Sequence, residues 1–152
     1  MTAPAAQPRK IPNHGLVAVT WLGLVDGLPP AGTTLADVAV LRATGFVQST
    51  VVGGTPGRDV PLHLPVVTYD CWKAPAEGSK KVPWGEAENM AALIEEATLR
   101  PELAQRFLDL PHGYGRVWVR IAIALTIPRR IPDDPGGFAR VQTDVLLSWS
   151  AG

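Results

Sequence analysis

Four chemically capable side chains follow one another in the stretch VVTYDCWKAP, residues 66–75: Tyr69, Asp70, Cys71 and Trp72. Cys71 is the only cysteine of the chain, so the chemistry to weigh is nucleophilic attack by a thiolate. A thiolate forms near neutrality only where a helix N-terminus, a histidine or a cationic pocket lowers the thiol pKa. The strand neighbours offer none of these, and Asp70 would raise the pKa, because like charges disfavour each other. In an extended strand Val67, Tyr69 and Cys71 point to one face, while Thr68, Asp70 and Trp72 point to the other. That alternation parts the thiol from the carboxylate. A free cysteine packs as a small hydrophobe, and Cys71 reads as a core residue. A small cytosolic thiol-dependent enzyme using Cys71 is the alternative of a different class.

Other residues with chemical potential lack a pattern. His14, His63 and His112 are far apart and form none of the HxH, HxxxH or HExxH spacings of a metal site. Asp133 and Asp134 precede Pro-Gly-Gly, where aspartate favours a turn, and the further ligands of a calcium loop are missing. GGTPGRD lacks the GK[ST] ending of a phosphate-binding loop, and PHGYGRV lacks the third glycine of a dinucleotide fingerprint. Ser49, Ser79, Ser148 and Ser150 stand in no nucleophile motif. No catalytic residue, metal or cofactor is therefore assigned. Five tryptophans are the compositional excess. Trp21, Trp118 and Trp149 sit within amphipathic segments, whereas Trp72 and Trp84 flank a loop and suit an interface, tryptophan being favoured at binding hot spots. A monomeric ligand-binding domain built on Trp72 and Trp84 is a third reading.

The elements that would carry these residues follow from periodicity. Val17, Trp21 and Leu24 share a helical face over His14 to Val25, with Asn13 placed as cap. DGLPPAGTT ends that helix. DVAVLRATGFVQSTVVGG is rich in β-branched residues and reads as one strand kinked at Gly45 or two short ones, and GGTPGRD turns the chain. Residues 62–73 form the strand holding Cys71. Ala87, Met90, Ala91, Ile94 and Ala97 make the apolar stripe of an amphipathic helix entered at Pro83. RPELAQRFLDLP, with Leu103, Phe107 and Leu110 at helical spacing, reads as a second short helix. In the last third Val117, Val119, Ile121, Ile123, Leu125 and Ile127 alternate without a break, as do Val141, Thr143, Val145, Leu147 and Trp149. Two long strands joined by PRRIPDDPGG make a hairpin whose tip carries Arg129, Arg130, Asp133 and Asp134, a candidate docking point.

Strands in runs with helices segregated argue for an α+β domain, a mostly antiparallel sheet with helices packed on one face and a long C-terminal hairpin. At 152 residues one core is the default, taken as residues 13–152 behind a Pro- and Ala-rich flexible arm, 1–12. Fourteen basic residues balance fourteen acidic ones, which removes the electrostatic ground for nucleic-acid binding. One cysteine implies no oxidising compartment. No apolar run is long enough for a membrane span, and the opening MTAPAAQPRKIP lacks the apolar core of a secretory signal.

TGFVQSTVVGG, LPVVTYDCWKAP and a Gly/Ser/Lys loop leading into VPWGEAENMAALIEEAT, followed by the alternating VQTDVLLSWS, resemble tail-terminator (tail-completion) proteins of long-tailed phages infecting actinobacteria. The likeness runs from about His14 to Trp149 and is carried most by DCW and the PWG helix entry. It implies a non-enzymatic virion subunit that forms a homohexameric ring at the head-proximal end of the tail tube. The ring would stop tube growth and join the tube to the head-side connector or stopper. Assembly would take place in the host cytoplasm, with DNA passing through the ring without specific binding. Another neck or tube protein is the nearest alternative. Candidate interface residues under this resemblance are Arg129, Arg130, Asp133, Asp134, Lys80, Lys81, Trp72 and Trp84, with sheet edges and the N-terminal arm closing the ring.

Overall fold

A computed structural model of the chain describes residue 4 and residues 8–56 and 62–152. Residues 1–3 and 5–7 of the expected arm, and residues 57–59 of the expected turn GGTPGRD, lie outside the described residues. The architecture is mixed α/β, a curled sheet of seven strands with three helices among the described residues. The elements in chain order are α1 (His14–Leu22), β1 (Ala31–Gly32), α2 (Val38–Ala43), β2 (Phe46–Pro56), β3 (Leu62–Lys73), α3 (Trp84–Thr98), β4 (Arg106–Asp109), β5 (Arg116–Ala124), β6 (Arg129–Arg130) and β7 (Ala139–Ala151). No described helix is long and apolar enough to cross a membrane.

The sheet runs β1-β2-β3-β7-β5-β4, with β6 also on β7. Among the described residues only β1 against β2 is parallel. One face of β3 and β7, carrying Val67, Tyr69, Cys71, Val141, Val145, Leu147 and Trp149, packs against Val17, Ala18 and Trp21 of α1 and Ala87, Ala91 and Ile94 of α3. Asn13 caps α1, its side-chain oxygen accepting from Leu16 N at 2.8 Å, and Trp21 Nε1 donates to the Leu103 carbonyl at 2.9 Å. The first satisfies an amide of the exposed helix start, and the second gives the buried indole N–H a partner near the helix end. Here α1 stops at Leu22, three residues before the expected end, because Gly23, Leu24 and Val25 close tight turns onto Thr20, Trp21 and Leu22.

Three expectations change on tertiary grounds. DVAVLRATGFVQSTVVGG is a helix followed by a strand, and its first half is not extended. Asp37 caps α2 by accepting from Val40 N at 3.2 Å, and Leu41 is buried with Phe46, Trp72 and Ala74. Phe46 and Trp72 face away from Cys71, so α2 stands on the opposite side of the sheet from α1 and α3. The break at Gly45 is real and strict: φ is +82°, and a β-carbon there would lie 2.3 Å from Met90 Cε and 2.8 Å from the Trp72 carbonyl oxygen.

RPELAQRFLDLP is one 3₁₀ turn, Pro101–Leu103, followed by strand β4. The helical spacing of Phe107 yields to pairing with β5, which buries Leu108 and Leu110 and leaves Phe107 half exposed. The alternation expected to run unbroken through residues 117–127 is interrupted at Arg120. Val119 pairs with Trp149 and Ile121 with Ser148, so two residues of β5 advance against one of β7. The bulge inverts the faces: Ala122 turns into the core, and Ile121 and Ile123 turn out.

Candidate interaction surface

The cluster around Cys71 divides as strand alternation predicts. Cys71 pairs with Val47 and Val141 on the inner face and is fully buried. Burial pushes its thiol well above the usual range, and Asp70 adds to the rise. Burial likewise raises Tyr69, whose hydroxyl donates to the Ala18 carbonyl at 3.1 Å. Asp70 points to the other face, where it accepts from Arg140 Nε at 3.0 Å and Gln142 Nε2 at 2.9 Å. The Arg140 guanidinium lies 5.0 Å from the centre of the Trp72 ring. In this conformation the thiol is closed off from solvent, and the carboxylate serves a structural ion pair.

The fold brings two of the three histidines together. His14, at the start of α1, and His63, near the start of β3, lie 5.3 Å apart, and both touch Trp149. Trp149 Nε1 donates to His14 Nδ1 at 3.2 Å, which fixes that nitrogen as unprotonated. Burial, and secondarily the charge of His63, lower the His14 pKa. His112 lies apart from this cluster, and its carbonyl accepts from Lys10. No group of three or more His, Cys, Asp or Glu side chains among the described residues is arranged to hold a metal ion.

The eight candidate interface residues fall into separate neighbourhoods. Arg129 lies in β6 and reaches across to Asp144 at 3.4 Å and to Gln142. Arg130 pairs with Glu88 of α3 and lies over the Trp84 ring at 4.9 Å, so two of the eight meet. Asp133 takes a left-handed conformation, φ +65°, and Asp134 accepts from Gly136 N and Phe138 N, closing the turn before β7. Lys80 and Lys81 are exposed in the loop before α3. Trp72 is buried, its Nε1 donating to Gln48 Oε1 at 3.3 Å, and it belongs to a different apolar cluster from Trp84. Trp72 and Trp84 therefore do not share a binding site. An open cleft of about 880 Å³ between the Gly27–Pro30 turn and α3 contains Lys73 and Glu86, but the Lys73 ammonium is engaged by the Arg42 and Ala43 carbonyls.

What the periodicity missed is an apolar outer surface. Beyond the Arg120 bulge, Ile121, Ile123 and Leu125 are each nearly half exposed, and Ile127 is 80% exposed. Phe107 stands edge-on to Trp118 at 4.8 Å, and the Arg116 guanidinium lies 4.9 Å from its ring centre. On the inner side of the same strand end, Leu99, Thr98 and Glu95 of the α3 terminus form one wall of a groove of about 430 Å³ whose other wall is residues 122–127. Leu99 is 78% exposed. At the far side of the sheet Val51 and Val52 are exposed on β2. The available signal was the pair Ala122 and Ala124, small residues that suit the approach of a helix better than the outer face the unbroken alternation assigned them.

These features define a mixed α/β chain with a curled seven-stranded sheet and apolar surface concentrated at its two sides. No protein-family model matches the chain, and a search among curated proteins finds no match.

Proposed function

We propose that this chain is a structural assembly subunit, and that it serves as the tail terminator of a long-tailed phage. In that role it forms a ring at the head-proximal end of the tail tube, stops tube growth and joins the tube to the head connector. The observation that carries the assembly reading is the uncovered apolar surface at Phe107, Ile121, Ile123, Leu125 and Ile127, since exposed apolar patches of this kind mark interfaces. The terminator reading adds the sequence resemblance carried by DCW and PWG. Antiparallel pairing of β5 and β6 with β7 supports a long hairpin, with Asp133 and Asp134 at its turn. That turn and the loop bearing Lys80 and Lys81 contact the tube or the connector. The formal net charge of zero suits a ring that lets DNA pass without binding it.

The test is electron microscopy with mass measurement on purified protein, joined to inactivation of its gene in the phage. Six-membered rings, and infected cells holding filled heads apart from tails of uncontrolled length, are expected. Normal virions formed without the chain would overturn the terminator reading.

A further inference from the structure

Among the described residues the sheet ends in two open edges. On one side β1 covers β2 only at Val47 and Gln48, and on the other β4 covers β5 only from Arg116 to Val119. Val47 N–H bonds the Pro30 carbonyl on the β1 side, so alternation sends the N–H and C=O of Ser49 and Val51 to the same open side. Leu125 N–H bonds the Asp144 carbonyl of β7, so the N–H and C=O of Ala122 and Ala124 point the other way, off the sheet. Neither edge carries the lysine or other charge by which monomeric proteins commonly protect such strands: residues 49–55 and 121–127 contain no charged side chain.

The geometry points to a second copy of this chain as the partner of both edges, the β2 edge of one subunit pairing with the β5 edge of the next. The inference rests on the assembly reading above and names its partner. The two edges complement each other in hydrogen-bonding groups, and both lack charge. Within one chain β2 and β5 run in opposite directions, so a neighbour set alongside without being turned over joins them antiparallel. Continuation of the sheet then keeps inner face with inner face. The neighbour's Val51, which shares a face with Val47, fills the groove between Leu99 and Ala124, and its Val52 lies against Ile123. The β2 bulge after Val51 ends the straight run, so backbone pairing is short and the apolar groove contributes the remainder. Because the two edges differ, the contact is heterologous and propagates from copy to copy until it closes.

Val51→Lys disables the β2 side, and Ala124→Pro removes an N–H of the β5 side that alternation turns away from β7, its partner among the described residues. Leu99→Lys, at a far more exposed position, replaces Ala124→Pro if the latter loses cooperative unfolding. Analytical ultracentrifugation should show the wild type as a multi-subunit species and each folded variant alone as a monomer, with association weakened at least about tenfold. An equimolar mixture of the two should give a dimer and nothing larger, since each variant retains the side the other lacks. A monomeric wild type, folded variants of wild-type size, or a mixture that stays monomeric would overturn the pairing. Six-membered rings unaffected by either substitution overturn it while leaving the terminator reading in place. Assemblies that dissolve as described but lack six-fold symmetry uphold the pairing and remove the terminator.

Discussion

In native buffer the Cys71 thiol should be almost inert toward an aromatic disulfide reagent. It lies fully buried on β3 between Val47 and Val141, so reagent reaches it only when the sheet opens. For a domain with a stability of about 8 kcal/mol the open fraction at 25 °C is about one in a million, and the reaction slows by that factor relative to a free thiol. Urea should restore it exponentially. An m-value of about 1–3 kcal/mol per molar corresponds to roughly one to two decades of rate per molar urea. Absorbance of the released aromatic thiolate, followed against urea concentration with Cys71→Ser as the blank, measures both quantities. The same burial has an alkaline consequence. The folded state holds the thiol proton more tightly than the unfolded chain, so this contribution to stability is whole below about pH 8.5. It is lost as pH rises above that value, at up to about 1.4 kcal/mol per pH unit, and Tyr69 adds a second loss from about pH 10. Cys71→Ala should flatten the first part of that decline. Native-state reaction within a factor of about ten of a free thiol would refute both the burial argument and its pH corollary, and would reopen thiol catalysis.

Asp70→Ala leaves Arg140 and Gln142 without their shared acceptor on a nearly closed part of the outer face, but the Arg140 side chain is a third exposed and still rests on Trp72. A loss of about 2 kcal/mol is expected, seen as a urea midpoint lower by about 1 M with unchanged slope; a shift under about 0.2 M would show the pair to be inconsequential. His14 has a lowered pKa when folded, so the unfolded chain takes up the proton first. Stability from this site is whole above about pH 6.5 and falls as pH drops through the folded value. His14→Gln keeps an acceptor for Trp149 and should flatten melting temperature against pH over that interval; parallel curves for the two proteins would discount the site.

Features that depend on neighbours within a few residues were legible. Asn13 as a cap, the Ala87 to Ala97 stripe of α3 and the division of Asp70 from Cys71 each follow from one turn of helix or two residues of strand. The Asp37 cap of α2 is equally local, but the β-branched residues around it carry a strand signal that masks it. The strand β4 was hidden for a different reason. Leu103, Phe107 and Leu110 satisfy a helical period, and only pairing with β5 makes the extended form win. The Asp70–Arg140 ion pair could not be read in advance, since its partners meet across 70 residues of chain.

By itself the sequence determined the alternation of β3 and β7, the Asn13 cap of α1, the apolar stripe of α3, the obligatory break at Gly45 and the inward setting of Cys71, because hydrophobic period, side-chain caps and glycine conformation act over distances shorter than one element. The tertiary structure alone decided the order of strands, the bulge at Arg120 that turns Ile121 and Ile123 outward, the meeting of His14, His63 and Trp149, and the two edges left open. Those depend on contacts between residues tens of positions apart, where the packing of α3 on β5 and the length of β1 and β4 determine which backbone groups find a partner within the chain and which remain for another.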